Sequence, residues 1–281
     1  MRSAFGRGRL RAFGGIEAGG SKWECAVGTG PADLHATVTI PTTTPAETID
    51  RAVAFFEREG PIAALGIGSF GPLDANRASP TWGFVTTTPK PGWAHTDVNA
   101  AALGEHRWGA TRGLDTSCYI TVGTGIGGGG LVEGRLLHGL MHPEFGHMRI
   151  PHDRTADPYA GSCPYHGDCW EGLASGRALE ERWGAPAEEL TDEAVWELEA
   201  RYLALGLVSV ICVVSPERVI VGGGVMNRPG LLERVHREIV ALMNGYLDAP
   251  MLGDGISGFV TAPALGPRAG VLGALALAES A

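Results

Sequence analysis

Three clusters of glycine constrain the fold of this chain more strongly than any other feature of its sequence. They lie within residues 14–20, 123–130 and 222–224, and each follows or interrupts an apolar run typical of a β-strand. Glycine at the end of a strand permits a tight turn and lets backbone N–H groups approach a phosphate closely. A hairpin or a bulge would account for one such cluster, whereas three of them favour phosphate binding.

Alternating strand and helix patterns predict an α/β protein. Apolar residues at helical spacing predict a helix over 45–59, and further helices are expected over 170–183 and 192–214. Each half of the chain begins with a strand, a glycine-rich turn and a second strand. This internal similarity predicts two related lobes with a cleft between them and a boundary near residues 110–117.

Composition argues against several classes of protein. Lys and Arg total 22 against 31 Asp and Glu, and the resulting charge of −9 repels a nucleic-acid backbone. No apolar run reaches the ~20 residues that a membrane-spanning helix needs. The arginine-rich residues 1–13 lack the apolar segment of a secretory signal, so we expect a cytoplasmic protein. Five cysteines, an odd number, argue against a disulfide framework.

The first glycine cluster has the residue types of a magnesium–phosphate cradle. An acidic residue, a Gly-Gly turn, a hydroxyl and a lysine follow one another at Glu17, Gly19, Gly20, Ser21 and Lys22. The backbone and Ser21 would donate hydrogen bonds to phosphate oxygens, and Lys22 would offset their charge. The order of residues differs from a Walker A loop and from a dinucleotide-binding fingerprint.

A second constellation predicts a metal site. Cys163, His166 and Cys169 form a C-x₂-H-x₂-C motif, and His147 lies sixteen residues before its first cysteine. Two thiolates and two imidazoles are a normal tetrahedral zinc set, and four protein ligands leave no open position, so we expect a structural Zn²⁺. The alternative is a chance pair of surface thiols, which would be prone to oxidation. The fallback ligands are His142 and His152.

The residues alone do not decide the roles of two carboxylates. Asp97 precedes a run of small residues, where an Asp most often caps a helix by accepting backbone N–H groups. Glu171 falls in the first turn of a predicted helix, where the helix dipole favours a solvated acid. A general base and a substrate ligand are the functional alternatives to these two structural roles.

The glycine clusters resemble the nucleotide-binding motifs of ROK-family sugar kinases, within the actin-like and hexokinase-like ATPase superfamily, and in particular those of its fructokinase-like branch. Residues 17–22 resemble the first phosphate motif, with Glu17 where the family usually has Asp. Residues 123–129 resemble the second phosphate motif, and residues 221–225 the segment that contacts adenosine. The implied ATP and phosphate contacts are Glu17, Gly19, Gly20, Ser21, Lys22, Gly123, Thr124, Gly125, Gly127, Gly222, Gly223 and Gly224.

The same resemblance implies a sugar site and a catalytic base. The segment around Asp97 resembles the catalytic motif, which makes Asp97 the base, although Thr96 stands where many relatives have Asn. Residues 144–147 resemble the family's E-x-G-H motif, whose His binds zinc while its Glu reaches the sugar. Segments 68–73 and 86–93 also have family counterparts. The implied sugar contacts are Ser69, Thr96, Glu144, His147 and Glu171, and the implied zinc ligands are His147, Cys163, His166 and Cys169.

The fold implied by the resemblance is a two-lobed α/β, actin-like or hexokinase-like (ribonuclease H-like) ATPase fold with a central cleft. Its smaller N-terminal lobe would span residues 1–115, with a C-terminal helix at about 268–281 packed back on it. Its larger lobe would span residues 116–267 and include the zinc-binding loop. A homodimer is also implied.

The implied activity is ATP-dependent phosphorylation of a hexose with Mg²⁺, and fructose is the preferred acceptor with fructose 6-phosphate as the product. Glucose, mannose and N-acetylhexosamines are the rival acceptors. A non-catalytic sugar sensor is the alternative from another class. A sugar-responsive repressor is a third alternative, but only about a dozen residues precede the first phosphate motif, fewer than a helix-turn-helix domain needs.

Overall fold

The computed structural model describes residues 12–69, 99–139 and 142–279, and two β-sheets organise this part of the chain. The first sheet has the strand order β3-β2-β1-β4 and the second has the order β7-β6-β5-β8-β9. The strands are β1 (Phe13–Ala18), β2 (Lys22–Gly30), β3 (Asp33–Pro41), β4 (Leu65–Ser69), β5 (Ser117–Val122), β6 (Ile126–Val132), β7 (Arg135–Leu136), β8 (Arg218–Gly222) and β9 (Val260–Thr261).

The helices pack on these sheets and on one another. They are α1 (Pro45–Glu59), α2 (Asn99–Trp108), α3 (Trp170–Ala174), α4 (Gly176–Trp183), α5 (Glu193–Val214), α6 (Leu231–Met243), α7 (Ile256–Phe259) and α8 (Ala269–Glu279). Within the described ranges, no helix is long and apolar enough to cross a membrane. The five cysteines all lie in those ranges and all are free thiols, as expected.

Both sheets are built around the same arrangement of three strands. In the first, β1 pairs antiparallel with β2 and parallel with β4; in the second, β5 pairs antiparallel with β6 and parallel with β8. The repeated strand, glycine turn and strand that the sequence predicts is therefore confirmed. Each glycine turn ends a hairpin at the centre of its sheet, which puts both turns at strand ends where ligands commonly bind.

Local sequence signals explain where α1 begins and ends. The Thr44 hydroxyl accepts a hydrogen bond from the Glu47 amide, and Pro45 occupies the first turn, where its missing N–H costs nothing. Gly60 follows the last turn with a positive φ of 94°. Ala52 and Phe55 are buried against the first sheet's core, so the predicted helix over 45–59 is confirmed.

The single helix predicted over 170–183 is wrong, because the structure breaks it at Ser175. This residue is extended, with φ −87° and ψ 163°, and its hydroxyl accepts a 3.2 Å hydrogen bond from the Ala178 amide. Ser175 therefore ends α3 and caps α4. The break turns the N-terminus of α4 towards the second glycine turn.

Small residues let α8 return to the first sheet at close range. A Cβ on Gly66 of β4 would lie 1.9 Å from the Ala274 carbonyl oxygen, and one on Gly273 would lie 1.5 Å from the Ala100 carbonyl oxygen of α2. Neither position has room for a side chain, so the backbones of α8, β4 and α2 are in direct contact. This packing supports the expected return of the C-terminal helix, while a lobe boundary near residue 115 stays a prediction.

Candidate active site and metal centre

Two thiols and two imidazoles meet in one cluster. The ligand atoms of His147, Cys163, His166 and Cys169 all lie within 4.8 Å of one another, and both cysteines are buried. The His147 Nδ1 atom is 3.7 Å from the Cys163 sulfur and 3.6 Å from the Cys169 sulfur, and the His166 Nδ1 atom is 3.6 Å from the Cys163 sulfur. The structure thus brings together the four ligands that the sequence motif predicts.

These spacings fit a tetrahedral zinc ion. Zn–S bonds of about 2.3 Å and Zn–N bonds of about 2.0–2.1 Å at a tetrahedral angle give an S···N separation of about 3.6 Å. The three measured separations match that value within 0.1 Å or so. The donor set and its geometry therefore fit Zn²⁺.

Short backbone pairings explain how the loop brings the ligands together. Cys163 and Gly167 exchange hydrogen bonds of 3.2 and 2.9 Å around a tight turn, in which Gly167 has a φ of 62°. Arg149 pairs antiparallel with Cys169, and the Trp170 amide donates to the Met148 carbonyl at 2.9 Å. These two contacts bring the residues that follow His147 next to Cys169.

Two side chains of the cluster have shifted pKa values. Burial, together with the neighbouring Cys163, raises the pKa of the Cys169 thiol to about 12, against the opposing effect of the Gly172 backbone hydrogen bond. Burial lowers the pKa of His147, while the Glu171 carboxylate opposes that shift. A bound divalent cation reverses this preference at the cysteine, because it stabilises the thiolate, and a neutral imidazole is the form that binds a metal.

Charged side chains outside the four-ligand cluster stabilise the loop that bears the cluster, residues 142–169, here called the metal loop. Asp168 pairs with Arg149 at 2.9 Å, with Arg154 at 2.6 Å and with His152 at 3.2 Å. These partners, the Arg154 hydrogen bond first, lower the pKa of Asp168 to about 2. His152 is thus held by acidic and backbone partners, and neither it nor His142 joins the four-ligand cluster.

Glu171 links the metal loop to the second glycine turn. It lies two residues after the ligand Cys169, and its Oε2 atom accepts a 3.0 Å hydrogen bond from the Ile126 amide. A Cβ on Gly125 would lie 2.5 Å from the same oxygen. The structure therefore rejects a freely solvated first-turn acid. Sequence spacing could not show this contact, because it joins residues 45 positions apart.

The second and third glycine clusters lie side by side. The Gly123 carbonyl accepts a 2.7 Å hydrogen bond from the Gly176 amide at the start of α4. Gly223 has a φ of 98°, and a Cβ there would lie 2.3 Å from the Val122 carbonyl oxygen. Both clusters border a cavity of about 1120 Å³. Its lining includes Gly123, Thr124, Arg177, Gly224, Asn227 and Arg228.

The first glycine turn is held by its own hairpin and by Thr42. The Gly19 amide donates to the Lys22 carbonyl at 2.9 Å, and the Thr42 hydroxyl donates to the Gly19 carbonyl at 2.8 Å. The Thr42 amide donates to the Ser21 carbonyl at 3.0 Å. The Lys22 ammonium group is exposed and pairs with Glu24 at 2.7 Å. The turn is therefore ordered, and its lysine lies at the surface.

Glu17 occupies a position that its motif did not predict. Its carboxylate lies against Gly270 and accepts a hydrogen bond from the Val271 amide, in the first turn of α8. Burial, and then the negative charge of Glu24, raise its pKa to about 7, against the opposing effects of Lys22 and the Val271 amide. Burial, and then the negative charge of Glu17, raise the pKa of Tyr119 on β5. The end of β1 thus faces the second sheet.

The positions of four further predicted site residues are described, and those of two are not. Thr96 and Asp97 fall outside the described residues, and Ser69, the last residue of β4, pairs with Ala18 of β1. The Glu144 carbonyl accepts a 3.0 Å hydrogen bond from the His147 amide. Gly127 and Gly222 both pair with Thr121 of β5 at the centre of the second sheet.

Comparison with known proteins shows the family of the chain. The family model described as the ROK family matches residues 13–281. The chain is 47% identical over 288 residues to the Bacillus subtilis (strain 168) protein named "Putative fructokinase", with 96% of each chain covered. It is 43% identical over 298 residues to a fructokinase of Zymomonas mobilis, with 96% of this chain and 97% of that protein covered.

Solved structures agree with this assignment. A ROK family glucokinase from Streptomyces griseus, in complex with glucose and AMPPNP, superposes with a TM-score of 0.74 at 27% identity, and the match covers 96% of this chain and 100% of that one. The fold and the paired glycine turns define a two-lobed sugar-kinase fold, as the sequence predicts. This chain belongs to the ROK family.

The metal cluster yields a first prediction. If the cluster binds zinc, Cys169→Ser removes one of its buried ligands, so the variant should contain no zinc and its Tm should fall by roughly 10 °C for a site that contributes about 3 kcal/mol. Metal analysis by mass spectrometry and a thermal melt measure both. Cys212→Ser, at an exposed thiol outside the cluster, is the matched control and should change neither. A zinc-loaded Cys169→Ser variant with an unchanged Tm would contradict the assignment.

The environment of Glu17 yields a second prediction. Because the folded chain raises this pKa from 4.5 to about 7, folding binds a proton in that range, and stability is lost as the pH rises through about 7. Glu17→Gln, which is neutral at every pH, should be more stable than the unmodified chain by up to about 2 kcal/mol at pH 8 and nearly equal at pH 4.5. Urea unfolding across that range measures the difference.

Glu57→Gln is the control for Glu17→Gln, since Glu57 is exposed on α1. Its pH profile should run parallel to that of the unmodified chain. Parallel profiles for Glu17→Gln as well would show that the Glu17 carboxyl does not bind a proton on folding.

Proposed function

We propose that this chain transfers the γ-phosphoryl group of ATP to a hexose, with D-fructose as the preferred acceptor and fructose 6-phosphate as the product. The observation that carries the proposal is the 3.0 Å hydrogen bond from the Ile126 amide to Glu171. This bond connects the metal loop, which bears the expected sugar ligands Glu144 and His147, to the second glycine turn. That turn is of the kind that binds phosphates. Acceptor and donor sites are thereby neighbours.

The sugar site would be formed by the metal loop together with the end of β4. Glu144, His147 and Glu171 would orient the hexose, and Ser69 and Thr96 would add polar contacts. Zn²⁺, bound by His147, Cys163, His166 and Cys169, would fix the loop and has no open position for substrate. Its contribution is therefore rigidity of the binding wall.

The phosphates of Mg·ATP would lie between the two glycine turns, with the adenosine in the cavity of about 1120 Å³ beside the third cluster. Backbone N–H groups of the turns, Ser21 and Lys22 would bind the phosphate oxygens. Lys22 would have to exchange its pairing with Glu24 for the nucleotide. The Glu17 carboxylate would contribute to binding the magnesium ion.

The chemical step needs a base for the sugar hydroxyl. Asp97 would accept the hydroxyl proton as that oxygen bonds to the γ-phosphorus and the bond to the β–γ bridging oxygen breaks, which releases ADP. Closure of the two lobes would exclude water, the competing acceptor.

Fructose is preferred because the two relatives above that match nearly the whole chain at 47% and 43% identity are both named for fructokinase activity. We also propose that the protein acts in the cytoplasm as a homodimer. Its net charge of −9 supports a function without nucleic acid.

The test is an assay of ADP release with Mg·ATP and four sugars: fructose, glucose, mannose and N-acetylglucosamine. Fructose should give the highest kcat/KM, and Asp97→Asn should lower kcat on it by about 10²- to 10⁴-fold. Asp50→Asn, at an exposed position on α1, is the control and should retain full activity.

Each other outcome has a definite meaning. Turnover of glucose or mannose alone would keep the kinase and reject fructose. Full activity in Asp97→Asn would reject the assigned base. No turnover on any of the sugars by zinc-containing protein would favour a sugar sensor.

A further inference from the structure

Two short segments connect the first sheet and its helices with the second sheet. Residues 109–116 lead from the end of α2 into β5, and residues 262–268 lead from β9 back into α8. Any movement of one lobe against the other must be accommodated where these segments cross. The side chains that fix them therefore set the relative orientation of the two halves of the site.

One buried carboxylate binds both connections. The Oε2 atom of Glu105, on α2, accepts a 2.7 Å hydrogen bond from the Ala110 amide and a 3.3 Å hydrogen bond from the Ala264 amide. Its Oε1 atom accepts a 2.8 Å hydrogen bond from the Leu265 amide. The side chain that makes these bonds belongs to a residue with 0% relative exposure.

Because the Glu105 side chain is buried, losing these hydrogen bonds would cost free energy. A buried carboxylate must be compensated, and three backbone N–H groups compensate Glu105. Among the described residues, no Lys or Arg forms an ion pair with it. Within the described ranges its carboxylate is bound by the two connections, and each connection is in turn held by it.

The neighbouring residues limit where the Glu105 side chain can move. A Cβ on Gly109 would lie 2.0 Å from its Oε2 atom, so glycine is needed for the carboxylate to reach the Ala110 amide. The Thr111 amide donates to the Glu105 carbonyl at 3.2 Å, and the Arg218 guanidinium of β8 donates to the Ala110 carbonyl. The first connection is therefore fixed to α2 on one side and to the second sheet on the other.

We propose that Glu105 is a positioning residue, which clamps both connections to α2 and so holds the catalytic end of that helix in register with the sugar site. Helix α2 begins at Asn99, two residues after Asp97, and packs against α8 and the second sheet. Tilting α2 about its Glu105 end would displace the residues before its first turn. This proposal rests on the function proposed above, in which Asp97 is the base.

The clamp predicts a particular kinetic effect. Three of the five proposed sugar ligands, Glu144, His147 and Glu171, follow β5 in the chain, whereas Ser69 and Thr96 precede α2. Weakening the clamp should therefore slow the chemical step far more than it weakens sugar binding, because a misplacement of about 1 Å between reacting groups costs up to about 10²-fold in rate. A merely structural role would lower the folded fraction and reduce sugar binding in proportion.

The experiment uses the full-length, zinc-containing protein and two variants that weaken the clamp differently. Glu105→Gln replaces one accepting oxygen with an NH₂ group that faces a backbone N–H. Gly109→Ala keeps the carboxylate but forces it aside. The matched control is Glu233→Gln, at an exposed position on α6. Readouts are hydrogen exchange of residues 109–116 and 262–268, fructose binding by calorimetry, and kcat well below the Tm.

Both clamp variants should exchange faster in the two connecting segments, bind fructose within about twofold of the unmodified chain and lose about 10- to 100-fold in kcat. The double variant should lose little more than either single one, since both act on the same contact. Glu233→Gln should match the unmodified chain in all three measurements.

The clamp is overturned if exchange in both segments is unchanged in Glu105→Gln, or if kcat stays within twofold despite faster exchange. It is equally overturned if the loss of kcat parallels a loss of fructose-binding sites, which would indicate partial unfolding. An unmodified chain that turns over no sugar would refute the proposed function instead, and the exchange readout would still test the clamp itself.

Discussion

The convergence of two thiols and two imidazoles on one point is the constraint on which the proposed sugar site depends. Residues 142–169 contain a single turn of 3₁₀ helix and two isolated bridges as their regular structure within the described ranges. A loop of this kind pays a large entropy cost to order unless it is tied down. A metal ion held by the proposed cluster would tie it near its start, at His147, and at its end, directly before the helix that bears Glu171.

Carboxyl groups bound to backbone N–H groups extend the fixed arrangement beyond the metal loop. Glu171 joins that loop to the second glycine turn, and Glu17 joins the end of β1 to the first turn of α8. Glu105 joins the two connections between the sheets. In each case a carboxyl group accepts a hydrogen bond from a backbone segment in another part of the chain.

Local patterns in the sequence predict the parts of the site that depend on short spacing. The C-x₂-H-x₂-C motif yields three metal ligands, and the glycine clusters mark the turns of both hairpins. The break at Ser175 was missed, although a Ser within a predicted helix is a recognisable capping signal. The contacts of Glu17 with α8, and of Glu105 with Ala264 and Leu265, join residues more than 150 positions apart, and nothing local in a single sequence specifies such pairs.

The most direct test of the account is calorimetric titration of fructose into zinc-loaded and metal-stripped protein, without nucleotide. If the metal holds the sugar-binding wall, stripping should weaken fructose binding by at least about tenfold, and added Zn²⁺ should restore it. Circular dichroism would confirm that the stripped protein stays folded. Equal affinity in folded protein with and without the metal would contradict the account, because the wall would then form without its central constraint.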